Sequence, residues 1–432
     1  MTTAVIKLPS FQKRILLVVP AILLCVFAFF VVRWSFAQSV AEQAETKELA
    51  DFAAGLAPNL PQPHYALAAI SEKAFSPEDD VAALREYELA AALSPHDWRS
   101  WLALGRMRER TGDSEAAEKA VRKAAELAPA YAQIRWTLGN MLLRRGEIEP
   151  AFVELRAAAA QNPIYAPPTV DAAMQIFAGE TVDAILRRAG DTPAARAATI
   201  KFLAKDGKFD QALQIWNGFS EEEKIANKDD GKSLFHSLIE GKKFRLAQTL
   251  YIELPETEDA GKIGVGAISN PDFESDRISS PANPLPFAWF VSDGNEPTIA
   301  FDAATKRGGE RSLQLAFRTV TAQDLRQIYQ TVTVESGARY RLEFYAKTAG
   351  LKTSATVRWD VEDAADGKIL ASSPVVATGD TDWQKLTVDF TAAPKTEAVN
   401  IRLARAACIL SPCALVGRIW FDDFGLQKIN QP

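Results

Sequence analysis

Histidine is scarce in this 432-residue chain, and runs of basic residues are missing. The three histidines, His64, His96 and His236, are scattered and fit no metal-ligand spacing. A net charge of −6 with no basic segment excludes a nucleic-acid partner. There is no nucleophile elbow, no H-E-x-x-H and no glycine loop to cradle phosphate, so nothing reads as an active site. Acid pairs are plentiful, but a glycosidase assignment needs a carboxylate separation that a sequence does not contain. Cysteine is equally sparse. Cys25 lies in an apolar run, and Cys408 and Cys413 share one short loop, Cys-Ile-Leu-Ser-Pro-Cys. A disulfide there belongs to an oxidising compartment, and the spacing leaves a bonded and a free pair equally open.

Charge is absent from residues 15–32, eighteen positions that span about 27 Å as a helix, close to the hydrocarbon thickness of a bilayer. Lys7, Lys13 and Arg14 precede the run, and Arg33 and Trp34 close it. Ser35-Phe36-Ala37 resembles a signal-peptidase site, but the run exceeds an ordinary signal core and Arg33 stands before the site. The favoured reading is an uncleaved transmembrane helix over 15–33, with 1–14 in the cytoplasm and the remainder across an inner membrane, in the periplasm or outside. Residues 38–57 read as a helical spacer rich in alanine and glutamate. Pro58, Pro61 and Pro63 read as a hinge after it.

Pro95, Pro129 and Pro163 are spaced 34 residues apart. Before Pro129 stand Trp101, Leu104, Gly105, Gly112, Ala117 and Ala124. Before Pro163 stand Leu138, Gly139, Gly146, Ala151 and Ala158. A degenerate copy ends at Pro95 with Leu67, Ala83, Tyr87 and Ala90. Small residues sit where two antiparallel helices approach closely, and Gly112 and Gly146 fall where a helix ends with positive φ. The pattern resembles the tetratricopeptide repeat, a helix–turn–helix unit that stacks into a solenoid and holds partners. Pro167 and Pro168 interrupt the period. Weaker echoes follow (Leu203, Gly207, Ala212, Trp216; then Leu234, Gly241, Ala247, Leu250), so the repeats are read as covering 64–255. In this family the first helix of each pair lines the groove, which implies Arg99, Arg106, Glu109, Gln133, Trp136, Asn140 and Leu143 as protein-binding residues. Trp136 occupies a place where the family's carboxylate clamp has a cation, so the groove suits a mixed apolar and acidic segment. The alternative is that Trp136 packs on a neighbouring helix.

A linker is read over 256–266, and from residue 267 short alternating runs replace the helical period, predicting roughly eight antiparallel strands. The order Asn270-Pro271-Asp272-Phe273-Glu274, Trp289, Gly308-Gly309, Gln330-Thr331-Val332, Trp383 and Trp420-Phe421-Asp422-Asp423-Phe424 is similar to the galactose-binding-like jelly roll, in particular the cellulose- and xylan-binding modules. The fold class expected is therefore multi-domain α plus β: a transmembrane helix, a helical repeat solenoid, and a jelly-roll β-sandwich over 267–432. The resemblance implies a structural calcium at Glu274, Asp422 and Asp423, against the plainer reading of solvated acids; no other cofactor is expected. Strand alternation offers Tyr329, Arg341, Glu343, Tyr345, Arg358, Asp360 and Arg402 as glycan candidates, one concave face if their strands are adjacent. Trp289 and Trp359 read as core.

The whole reads as a membrane-anchored, non-enzymatic adaptor. Its repeats bind a protein partner and its sandwich binds polysaccharide, in a combination similar to accessory proteins of bacterial envelope or exopolysaccharide assembly. The alternatives are a purely structural scaffold that binds no sugar, and a glycan-acting enzyme.

Overall fold

The computed structural model describes residues 11–74, 76–254, 263–318, 325–408 and 413–430. Among them fifteen α-helices precede ten β-strands. The chain divides into two compact units, residues 1–199 and 200–432. That division falls within the 64–255 stretch read as repeats.

In the first unit, α1 (Phe11–Glu42) is 32 residues long, about 48 Å, and continues unbroken past Arg33. The part from Val18 to Glu42 is long and apolar enough to cross a membrane. Its large apolar side chains between Val18 and Val32 are 40–67 % exposed. Beyond them Ala37 is fully buried and Arg33 Nε donates to the Leu56 carbonyl at 2.6 Å, so the helix end packs on α2 (Lys47–Leu56) and α3 (Pro61–Glu72).

The prolines there form no hinge. Pro61 opens α3, where its missing N–H costs nothing, and Ala50 and Ala54 of α2 pack against Leu67. The 34-residue period yields stacked antiparallel pairs: α3 with α4 (Pro77–Leu93), α5 (Trp98–Arg110) with α6 (Ser114–Leu127), and α7 (Ala132–Arg144) with α8 (Ile148–Gln161). Ser76, Asp97 and Asp113 cap α4, α5 and α6 through their side-chain oxygens. Gly112 and Gly146 adopt φ of +93° and +78°, as their place after a helix requires. Pro167 and Pro168, read as interrupting the period, do not break a helix. They lie in the first turn of α9 (Ala166–Ile176), which α10 (Val182–Ala189) follows.

The second unit begins within α11 (Pro193–Lys205) and continues through α12 (Phe209–Asn217), α13 (Glu221–Ala226), α14 (Lys228–Glu240) and α15 (Phe244–Glu253). The echo residues Leu203, Ala212, Trp216, Leu234, Ala247 and Leu250 are all buried. The sandwich follows as two five-stranded antiparallel sheets.

The first sheet runs β1 (Phe290–Val291), β4 (Ile328–Thr333), β9 (Ala398–Arg405), β6 (Val357–Asp363), β7 (Ile369–Ser372). The second runs β2 (Thr298–Asp302), β3 (Ser312–Phe317), β10 (Val416–Ile429), β5 (Arg339–Lys352), β8 (Gly379–Thr391). Ten strands replace the eight expected, because two-residue β1 and four-residue β7 are too short to alternate visibly. Between the sheets Trp359, Trp289, Phe273, Phe344, Phe421 and Phe424 form one aromatic core, so both tryptophans are core as read.

Residues 256–262 of the expected linker lie outside the described residues. Its remaining end is held: Gly266 N–H donates to Thr333 O at 2.8 Å.

Cys408 and Cys413 are disulfide-bonded, with Cα atoms 6.2 Å apart. Arg405 Nη2 donates to the Cys413 carbonyl at 2.7 Å and so holds the loop to the end of β9. Loop-entropy reasoning for so short a ring gives a loss of about 2 kcal/mol on reduction. Urea titrations with and without dithiothreitol measure it, and coincident curves would refute it.

Candidate functional site: the outer face of the first sheet

Inward positions on β4, β9 and β6 (Ile328, Val332; Ile401, Leu403; Val357, Trp359, Val361) fill the core, so the residues between them face outward. The register lays them in a row across all five strands. Phe290 pairs with Tyr329, Tyr329 with Arg402, Arg402 with Asp360, and Asp360 with Ser372. At about 4.8 Å per strand the row is about 19 Å long.

One end is aromatic. The Phe290 and Tyr329 rings are 4.9 Å apart, and burial raises the Tyr329 phenol above its ordinary value. The middle is ionic. Arg402 donates Nε and Nη2 to Glu362 at 2.5–3.0 Å, and Arg358 Nε donates to Asp360 at 2.7 Å. A second row sets Thr331, Asn400 and Glu362 side by side, with Thr331 Oγ1 donating to Asn400 Oδ1 at 2.7 Å.

Helix α15 closes one side of this face. Thr333, at the end of β4, points outward yet is fully buried, and its hydroxyl donates to Gln248 Oε1 at 2.7 Å. Ala398, its partner on β9, is 1 % exposed. The Arg245 N–H donates to Glu397 Oε2 at 3.2 Å, and Tyr251 packs on Phe287 just before β1. The helix thus touches segments next to β9, β4 and β1 in turn and lies along the row.

The expectation of one face for seven glycan candidates is corrected. Tyr329, Arg358, Asp360 and Arg402 share the first sheet. Arg341, Glu343 and Tyr345 lie on β5, which pairs only with β10 and β8 in the second. There Arg341 is paired with Asp389 at 2.7 Å, Glu343 with Lys385 at 2.9 Å, and the Arg307 guanidinium lies 3.5 Å over the Tyr345 ring.

The three carboxylates of the calcium expectation do gather, around the loop 307–311. Glu274 Oε1 accepts the Glu310 N–H at 2.7 Å and the Arg311 N–H at 3.3 Å. Asp422 Oδ2 accepts the Arg307 N–H at 2.9 Å, and Asp423 is paired with the Arg307 guanidinium. Asp422 is fully buried. Desolvation, with the Asp423 charge beside it, raises its carboxyl above the ordinary range against the pull of its N–H donors. Among the described residues no three acid, histidine or cysteine side chains are already arranged to hold an ion.

The repeat-groove candidates lie on α5 and α7 as the period implies, and most already have partners. Arg99 is tied to Asp97 at 2.9 Å, and Glu109 accepts from Arg144 on the next pair at 2.7 Å. Trp136 is stacked on Tyr165 at 5.1 Å, and Asn140 Nδ2 donates to the Trp136 carbonyl. Arg106 and Gln133 are exposed, and Leu143 is half-buried beside the α5–α8 core. Arg99 also lines a recess of about 570 Å³ with Asp97, Trp98 and Tyr131.

Sequence reasoning missed Phe290, Glu362 and Asn400 as site residues, and it read Ala247 and Leu250 of α15 as a repeat echo without placing that helix against the sheet. Glu362 continues the outward alternation of Arg358 and Asp360 and was the one of these already within reach.

Residues 265–406 match a family model described as a carbohydrate binding domain. No curated protein matches the chain. Among solved structures, a CBM4 structure is 18 % identical, aligns over 38 % of this chain and 100 % of its own, and has a TM-score of 0.29. MamA from Desulfovibrio magneticus RS-1 is 21 % identical over 30 % of this chain and 74 % of its own, TM-score 0.27. The type III secretion translocator chaperone SycD of Yersinia enterocolitica is 20 % identical over 25 % and 78 %, TM-score 0.23. Behind a helical region that starts with one long apolar helix, the chain carries a carbohydrate-binding-type β-sandwich, and residues 265–406 are the part that resembles that family.

Proposed function

We propose that this chain is a non-catalytic adaptor that holds a polysaccharide on the outer face of its first sheet and a protein partner on its helical repeats. The observation that carries the reading is the cross-strand row Phe290, Tyr329, Arg402, Asp360, Ser372. A ring platform beside fixed donors and acceptors is what pyranose faces and hydroxyls require. Affinity electrophoresis of the detergent-solubilised chain in gels containing β-glucan, xylan or galactan tests it. Retention by at least one polymer is expected, and Tyr329→Ala is expected to weaken it about tenfold or more, since a stacked ring contributes on the order of 1–3 kcal/mol. Retention by none of them would refute the glycan half.

The tether is α1. Ala37, at the end of the small-x-small triplet, is buried within a continuous helix, which keeps that peptide from the extended form a signal peptidase needs. Basic residues before the apolar run and Glu42, Glu45 and Glu48 after it favour a cytoplasmic N-terminus with the bulk in the periplasm, where the Cys408–Cys413 bond would persist. We read the setting as envelope or exopolysaccharide assembly. Protease protection in spheroplasts tests the orientation: digestion of the sandwich only after outer-membrane removal is expected, and full protection would reverse it.

Calcium binds, in this reading, between Glu274, Asp422 and Asp423 once the Arg307 side chain leaves Asp423. The folded pKa of Asp422 lies above its unfolded 3.8, so the folded state loses stability as pH rises through that folded value. Calcium would remove that loss. Millimolar calcium is therefore expected to raise the melting temperature at pH 7 and to leave it unchanged near pH 3.5. Equal shifts at both pH values would exclude the site.

A further inference from the structure

The two ion pairs on the sheet face have the same polarity, carboxylate beneath and guanidinium above. The side chains of Asp360 and Glu362 are 3 % and 9 % exposed, while those of Arg358 and Arg402 are 30 % and 38 % exposed. Arg402 uses Nε and Nη2 on Glu362, and Arg358 uses Nε on Asp360 with Nη2 at 3.5 Å. In both arginines Nη1 has no protein partner among the described residues. The register sets Arg402 directly opposite Asp360 on one side and Tyr329 on the other, so the Arg402 Nη1 donor lies next to the ring platform, while Arg358 stands opposite Ala404, one strand further along the sheet.

The four formal charges cancel. A buried carboxylate is tolerated only while its cation stays against it, so neither arginine is available to leave its acid for a ligand anion. What remains for a ligand is the Nη1 amino groups of the two arginines and an aromatic face, with no net charge behind them. Hydroxyl groups are satisfied by that arrangement. A uronate or sulfate would surrender its hydration to guanidinium groups whose charge is already spent, above two carboxylates that repel it.

We infer that these pairs fix the charge class of the ligand, an uncharged polysaccharide, and that Glu362 is the residue that refuses acidic ones. The inference rests on the reading of this face as the glycan site.

The test runs the detergent-solubilised full chain against uncharged polymers (β-glucan, xylan, galactan) and acidic ones (polygalacturonate, alginate). The unaltered chain is expected to be retained by an uncharged polymer and by neither acidic one. Glu362→Gln keeps the shape but frees the Arg402 charge, and is expected to raise retention by acidic polymers about tenfold. Asp389→Asn makes the same charge change on the opposite sheet and is expected to do nothing, which separates a site effect from net charge. Should Glu362→Gln fold poorly by circular dichroism, the double variant Glu362→Gln, Arg402→Gln restores neutrality and is expected to refuse acidic polymers as the parent does. Retention of acidic polymers by the unaltered chain or the double variant, or a folded Glu362→Gln chain with unchanged preference, overturns the inference and leaves the glycan site standing. Retention of the unaltered chain by no polymer at all overturns both.

Discussion

Trp359→Ala is expected to lower the melting temperature of the second unit by roughly 6–20 °C. Trp359 is fully buried where both sheets meet, with its ring 5.2–6.4 Å from those of Phe424, Phe421, Trp289 and Phe344. Removing an indole from such a place forfeits its transfer energy and leaves a cavity, together about 3–5 kcal/mol. For a unit of this size each 1 kcal/mol moves the midpoint by about 2–4 °C.

Among the described residues the indole Nε1–H has no hydrogen-bond partner, so it contributes bulk and no polar bond. Trp359→Phe should therefore cost much less than alanine, since it deletes an unsatisfied donor together with part of the volume. Calorimetry on both variants separates the terms. Equal losses for phenylalanine and alanine would mean that the N–H does have a partner, and a loss below about 1 kcal/mol for alanine would mean that the core collapses around the gap.

Gly105→Val is the second large effect, in the first unit. A Cβ at Gly105 would stand 2.4 Å from Val121 Cγ2 and 3.0 Å from the Ala117 carbonyl. Neither α5 nor α6 can give way without opening the pair, and forcing extra methyl groups into a packed seam costs about 1–3 kcal/mol. Valine adds no helix propensity large enough to offset this. The contrasting case is Gly55 in α2, where a Cβ meets nothing within 4 Å and Gly55→Ala should stabilise by about 0.5–1 kcal/mol.

Urea titrations followed by circular dichroism rank the three chains. Steric conflict rather than lost flexibility is established if Val121→Ala rescues Gly105→Ala, because the two substitutions then compensate at one contact. Additive losses would place the cause elsewhere.

The same glycines explain why the helical half was legible. A close approach between paired helices recurs at a fixed period and admits only the smallest residues, so Gly105 and Gly139 mark it in the sequence as they do in space. The apolar run of α1 was legible for a similar reason, being a local property of composition. The sheet face was not.

Alternation tells which side of a strand a residue occupies and is silent on which strand lies beside it. Tyr329 and Tyr345 read alike in sequence, yet the first belongs to the row on the first sheet and the second sits under Arg307 on the other. Phe290 sits in a strand of two residues, too short to declare itself. The prolines at 61 and 63 misled in the other direction, because proline ends a helix and also begins one. Gln248 reads as one polar residue in an amphipathic helix, and only the tertiary fold shows it roofing Thr333.

That roof bears on how the protein can be taken apart. A piece cut at residue 265 to match the family boundary would lose α15, laying Thr333 and Ala398 open to water and stripping Phe287 of its aromatic neighbours Phe235 and Tyr251. The excised module would carry a raw edge that the intact chain never shows, and a failure to express or to bind sugar would say little about the parent. The smallest piece worth purifying starts near residue 200, where the second compact unit begins. In this chain the final helices are part of the β-sandwich's own frame.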